Sequence, residues 1–184
     1  DNTILIFMTD NGSSGGWRPE QKQGYNAGMR GRKGSYYDGG HRVPCFIRWP
    51  QGGLAGGRDC NDFVLHIDLL PTFIELCELK PPDAEFDGVS VAPLLRGDVD
   101  ALPERPAFLQ YRQNTSPPEK WTNAVMTRRW RLVRGTELYD IKADAGQQRD
   151  IAAEHPDVVA RLRQAHEDWW AEIEPVLTEY CPIV

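Results

Sequence analysis

No apolar run in the 184-residue chain approaches the roughly 18 to 20 residues needed to cross a bilayer, and the opening DNTILIFM does not read as a secretory leader. A membrane-spanning protein is therefore not expected. A surplus of positive charge is also missing: 21 Lys and Arg face 27 Asp and Glu, for a net charge of -6. Phosphate-backbone affinity comes from a cationic face that releases counterions, so a general nucleic-acid partner is not expected either. The four cysteines, Cys45, Cys60, Cys77 and Cys181, form no C-x-x-C pair, which removes zinc knuckles and thioredoxin-type sites. Two disulfides or four buried thiols remain open. There is no P-loop signature, internal repeat or low-complexity tract. What is present, 40% apolar and 26% charged residues, describes an ordinary globular chain of one domain or one domain plus an appendage.

Residues 3–8, TILIFM, form an apolar run that suits a strand buried on both faces, as in a parallel sheet covered by helices. It stops at Thr9-Asp10-Asn11-Gly12, where turn-favouring residues arrive together. In open α/β sheets, ligands sit beyond the carboxyl ends of strands, so Asp10 and Asn11 are placed either for chemistry or simply to close a turn. A glycine-rich loop over residues 12–40 follows, carrying Trp17, Tyr25, Tyr36 and Tyr37. Within it, Arg30, Arg32 and Lys33 stand among glycines that let backbone N–H groups approach an anion. The bland alternative is a solvated basic turn paired with Asp38. A second apolar strand, VPCFIRW, spans residues 43–49.

Residues 63–79 change to helical spacing, with Asp68 as N-cap and Leu70, Phe73, Ile74 and Cys77 on one face. His66 reads as structural. Residues 80–87 and 97–106 are connectors rich in proline and acid, and residues 88–95 form a short apolar cover. Four short strands are expected over residues 107–112, 121–127, 130–133 and 137–139. An amphipathic helix over residues 156–177 follows, with Val158, Val159, Leu162, Trp169, Ile173 and Leu177 on its stripe.

The ordered series TDNG, RGRKGSYYDGGHRVP, an apolar strand ending WP, HIDLLPT, DGVSVAPLLRG and ELYD resembles the carboxyl-terminal half of the type I, formylglycine-dependent sulfatases of the alkaline phosphatase superfamily. The likeness runs from about Asp1 to about Trp170. It implies an α/β fold: the C-terminal part of an alkaline-phosphatase-like mixed sheet between helices over residues 1–105, then a small antiparallel four-stranded sheet with a packed C-terminal helix over 106–184. It also implies sulfate-ester hydrolysis, with Asp10 and Asn11 as two ligands of a divalent metal, normally Ca²⁺, and Lys33 as the catalytic lysine that contacts the sulfate. Arg30 is a candidate for helping Lys33 bind substrate. The chemistry agrees, because calcium takes six to eight oxygen ligands and a lysine ammonium offers a compact charge to a leaving oxygen.

The family's nucleophile is a formylglycine made from Cys or Ser in a C/S-x-P-x-R motif, and no such motif occurs in these residues. The paired aspartates that complete the family's metal site are missing as well. The chain is therefore expected to be a fragment, inactive alone, whose partner is the missing N-terminal half of the same protein. Two strands buried on both faces would also need neighbours from elsewhere. The implied substrate is a sulfated small molecule or carbohydrate, and the implied compartment periplasmic or extracellular. Trp17, Tyr25 and residues 113–121 offer aromatic faces for stacking on a sugar. Phosphodiester or phosphonate monoester hydrolysis on the same fold, and a non-catalytic sulfatase-like binding module, are the alternatives.

Overall fold

The computed structural model describes residues 1–15, 20, 24–111 and 118–178. They fall into two compact units, Asp1–Met8 with Pro44–Glu104, and Thr9–Val43 with Arg105–Val184.

In the first unit, strand β1 (Leu5–Met8) pairs antiparallel with a second strand (Cys45–Arg48), Leu5 opposite Arg48 and Met8 opposite Cys45. Alternate side chains of a strand go to opposite faces. One face puts Ile4, Ile47 and Trp49 against Leu54, Leu76 and Ala92. The other leaves Leu5, Phe7 and Phe46 more than half exposed. The burial expected on both faces is thus found on one, because a two-stranded sheet has only a single covering layer here. Among the described residues no helix is long and apolar enough to cross a membrane.

Counting the four-residue turn of helix α1 (Asp38–His41) and strand β2 (Cys45–Arg48), the next elements are α2 (Leu69–Leu76) and α3 (Ala92–Arg96). The buried stripe of α2 is not the expected one. Leu70 is 55% exposed, whereas Asp68, Thr72 and Leu76, spaced four apart, are buried. The reason is a polar seam. The Asp68 carboxylate accepts from Leu65 N–H at 2.8 Å and Val89 N–H at 3.0 Å, so it does not cap α2. The Thr72 hydroxyl donates to the Asp68 carbonyl at 2.6 Å and accepts from Val91 N–H at 2.9 Å. Backbone donors of the segment leading into α3 are satisfied by side chains rather than left unpaired in the core.

The second unit carries the sheet β3 (Ala107–Gln110), β4 (Asn123–Met126), β5 (Trp130–Val133) and β6 (Glu137–Asp140), antiparallel and in sequence order. Between β5 and β6, Arg134 and Gly135 both take positive φ, 52° and 69°, the left-handed centre that hairpin turns favour. Val125, Trp130, Leu132 and Leu138 form a core with Val158 and Leu162 of helix α4 (Pro156–Thr178).

The buried stripe of α4 continues through His166 and Trp170, while Trp169 stacks on Phe108 at 4.6 Å between ring centroids. His166 is fully buried, stacked on Trp121 at 4.1 Å, and its Nε2 meets the Asn123 amide. Burial lowers its pKa from 6.5 to about 4, against a smaller opposing pull from Glu167 and with help from Lys120 and Arg163. An unfolded chain takes up that proton near pH 6.5, whereas the folded one resists until about pH 4. The resulting stabilisation is complete above pH 6.5 and lost progressively down to pH 4. After allowing for solvent screening it is on the order of 2 kcal/mol. Urea unfolding at pH 7 and pH 5 should show the loss, and His166→Gln should flatten it; an unchanged pH slope in that variant would contradict this account.

Candidate active site

Asp10 and Asn11 follow β1 in the chain, and the Asn11 amide nitrogen donates to the Asp10 carboxylate. Asp10 is exposed and Asn11 half-buried. The two are joined to the glycine-rich loop by backbone bonds. Gly12 N–H donates to the Gly40 carbonyl at 3.0 Å, and Lys33 N–H donates to the Ser13 carbonyl at 3.1 Å. The first contact demands glycine: a Cβ on residue 12 would lie 2.0 Å from the Gly39 carbonyl oxygen. The loop therefore carries the backbone of Lys33 to the segment that holds Asp10 and Asn11. Lys33 is exposed, and among the described residues its ammonium makes no hydrogen bond or ion pair.

Arg30 is placed differently. Its guanidinium donates to the Tyr139 hydroxyl at 3.0 Å and the Gln147 carbonyl at 3.2 Å, lies 3.9 Å from the Glu137 carboxylate and covers the Tyr37 ring at 3.8 Å. Any contact with a substrate would compete with these. The Tyr37 and Tyr139 hydroxyls both donate to Glu137, and burial first, then that carboxylate, raises the pKa of each.

Asp38 does not pair with the basic turn as the bland reading supposed. It is fully buried, and Arg131 of β5 grips it with Nε at 2.7 Å and Nη2 at 3.5 Å. Arg42 stands 3.5 Å away and His41 3.9 Å, while Asp38 N–H donates to Gln147 Oε1 at 2.7 Å. Burial pulls the Arg131 pKa down and the Asp38 carboxylate opposes it. His41 is likewise pushed down by burial, with Asp38 pulling the other way. Sequence reasoning does not single out Arg131 and Gln147, whose spacing matches no motif; Asp38, inside RGRKGSYYDGGHRVP, reads there only as a partner for the basic turn.

The residues present fit part of a hard-cation site. An exposed carboxylate beside an amide oxygen gives two oxygen donors, but among the described residues no cluster of three Asp, Glu, His or Cys forms, and calcium requires more ligands than two. Cys45, Cys60 and Cys77 are free thiols; Cys181, Trp17 and residues 113–117 lie outside the described residues. Tyr25 is 79% exposed. Trp121 is not available as a sugar platform, being stacked on His166 with the Arg163 guanidinium 4.7 Å from its ring centroid.

The family model described as N-sulphoglucosamine sulphohydrolase, C-terminal, matches residues 32–170. The chain belongs to this sulfatase family. Mouse steryl-sulfatase is 39% identical over 100 residues, covering 52% of the chain and 16% of that protein. A sulfatase of Formosa agariphila is 28% identical over 171 residues, covering 85% and 30%. The chain thus spans less than a third of the length of these relatives. The solved structure of Ps i-CgsB superposes with a TM-score of 0.74 at 24% identity over 92% of the chain and 36% of its own, and a further structure of that protein is in complex with k-i-k-neocarrahexaose. A phosphonate monoester hydrolase of Agrobacterium radiobacter superposes with a TM-score of 0.58 at 22% identity, over 89% and 35%. The sulfatase chain accordingly has the fold of the C-terminal part of an alkaline-phosphatase-like enzyme: mixed α/β, with a small four-stranded antiparallel sheet and a C-terminal helix.

Proposed function

We propose that this chain works as the metal-and-lysine side of the active site of a sulfuric ester hydrolase. The observation that supports this reading is the backbone bridge from Lys33 to Ser13, which ties the backbone of Lys33, whose ammonium makes no hydrogen bond or ion pair among the described residues, to the segment that carries Asp10 and Asn11. Asp10 and Asn11 contribute two ligands to a divalent metal, with calcium the best match to their hard oxygens. That metal, when bound, supplies positive charge to a sulfate oxygen. Lys33 donates a hydrogen bond to the ester oxygen that becomes the leaving group, and its charge offsets the charge growing there as the S–O bond breaks. Arg30 holds the loop through Tyr139, Gln147 and Glu137; a contact with substrate would add to that role.

The attacking oxygen comes from residues beyond these 184, in a formylglycine of the family type, so the rest of the polypeptide is the chain's first partner. The substrate class is a sulfated carbohydrate or small molecule, supported by the sulfated sugar in the family's description, and the compartment is periplasmic or extracellular. A second reading, hydrolysis of phosphonate monoesters or phosphodiesters, is favoured by the likeness to the phosphonate monoester hydrolase.

Metal depletion of the full-length enzyme should abolish turnover of an aryl sulfate, and added calcium should restore it. Asp10→Ala should raise the calcium concentration for half-maximal rate by at least about 10-fold, since ligand charge and number set affinity. Turnover that survives chelation and is indifferent to Asp10→Ala would refute the assignment.

A further inference from the structure

We infer that the buried pair of Asp38 and Arg131 is a positioning device for Lys33, fixing the glycine-rich loop so that the lysine and the Asp10-Asn11 segment share one frame. The inference rests on the sulfatase reading given above. Lys33 lies between two anchors of its own loop, Arg30 and Asp38, and both are tied to the same part of the C-terminal sheet. Arg30 bonds Tyr139 and Gln147, and Asp38 bonds Arg131 and Gln147. Gln147, itself fully buried, thereby receives the loop from both sides of Lys33.

The Asp38 end is also the wedge that joins the other two pieces. Gly39 N–H donates to the Arg30 carbonyl at 2.8 Å, and Gly40 accepts from Gly12 N–H at 3.0 Å. A Cβ on Gly40 would come within 2.3 Å of the Ser35 carbonyl oxygen, so the turn around Lys33 is seated directly on this backbone. A shift of Asp38 therefore moves the 10–13 segment and the Lys33 turn relative to each other. Arg131 resists such a shift because its guanidinium is planar and held at several points. Nε and Nη2 face Asp38, and Nη1 donates to the Thr127 and Trp130 carbonyls.

Stability alone does not call for this arrangement, because a buried ion pair is often no better than a well-packed apolar pair of the same volume. What an apolar pair lacks is direction. A fork of donors on a two-oxygen acceptor sets both distance and angle, and catalysis is sensitive to placement: a misplacement of about 1 Å can cost about 100-fold in rate.

The test is a double-mutant cycle in the full-length enzyme. Arg131→Lys keeps a buried cation for Asp38 but loses the fork. It should lower kcat by at least about 10-fold with KM changed by less than about 3-fold, and in a Lys33→Ala background it should cost less than about 2-fold, because the two residues act as a unit. Hydrogen exchange at the Lys33 and Gly12 amides should accelerate by at least about 10-fold while the Val125 and Leu132 amides keep their protection. Gln147→Asn, which shortens the acceptor for Asp38 N–H and tolerates the positive φ of 51° at that position, serves as the second variant and should behave alike. Equal losses of kcat in both backgrounds, or unchanged exchange at Lys33 and Gly12, would overturn the inference. Should Lys33→Ala alone leave turnover intact, the catalytic reading of Lys33 fails, and the exchange data still decide whether the pair positions the loop.

Discussion

Lys33→Ala in the full-length enzyme is expected to lower kcat on an aryl sulfate by about 100- to 1,000-fold with little change in KM, the cost of removing one donor aimed at charge that develops in the transition state. The expectation depends on the ammonium being free and placed. It has no partner among the described residues, and its backbone is bonded to Ser13, beside the proposed metal ligands. Arg32 is the internal control. It is exposed on the same turn, where its N–H donates to the Ser35 hydroxyl at 3.1 Å and its carbonyl accepts from Ser35 N–H at 2.9 Å. Arg32→Ala should reduce kcat far less than Lys33→Ala, and steady-state rates of the two variants side by side will separate a specific donor from a general cationic patch. Equal, small effects would favour the patch.

Asp38→Leu should destabilise the unit by about 3–5 kcal/mol, because it leaves the Arg131 charge buried without its partner. The pair is 0% and 4% exposed, so water cannot substitute for the missing carboxylate. Arg42 does not help, being a second cation 3.5 Å from the same carboxylate. The double variant Asp38→Leu/Arg131→Met should recover most of the loss, since both charges are then gone together. Denaturant midpoints of the two single variants and the double variant measure this directly. A double variant that unfolds as readily as Asp38→Leu would mean that the pair's worth lies in its fit to Gln147, Thr127 and Trp130 rather than in mutual neutralisation. If the double variant is stable yet slow, stability and positioning will have been separated in one protein.

The candidate site was legible only as local patterning, where its proposed residues are neighbours in sequence. Asp10 and Asn11 after an apolar strand, and Lys33 among glycines, could be picked out from local patterning, as could all four strands of the C-terminal sheet and the long helix that covers it. What could not be read was long-range pairing. Asp38 and Arg131 are 93 residues apart, and nothing in the spacing of either announces the other. Hydrophobic periodicity also misplaced the buried face of α2 and left that of α4 incomplete. On α2 the stripe of Leu70, Phe73, Ile74 and Cys77 gave way to Asp68, Thr72 and Leu76, because backbone N–H groups of a neighbouring segment needed acceptors more than the core needed another leucine. On α4, His166 takes a core position that an apolar count skips, since a neutral imidazole between Trp121 and Trp170 packs like an aromatic ring. Trp121 shows the converse. Its ring suggested a sugar platform, and it is used instead to enclose that histidine.

Asp10, Asn11 and Lys33 are proposed to serve sulfate-ester chemistry together. The measurement that addresses this most directly is turnover of a matched aryl sulfate and aryl phosphonate monoester by the full-length enzyme, with and without calcium, before and after Lys33→Ala. A clear preference in kcat/KM for the sulfate, dependent on the metal and largely lost with Lys33→Ala, is the predicted result. Faster hydrolysis of the phosphonate, or sulfate turnover indifferent to both the metal and Lys33, would contradict it.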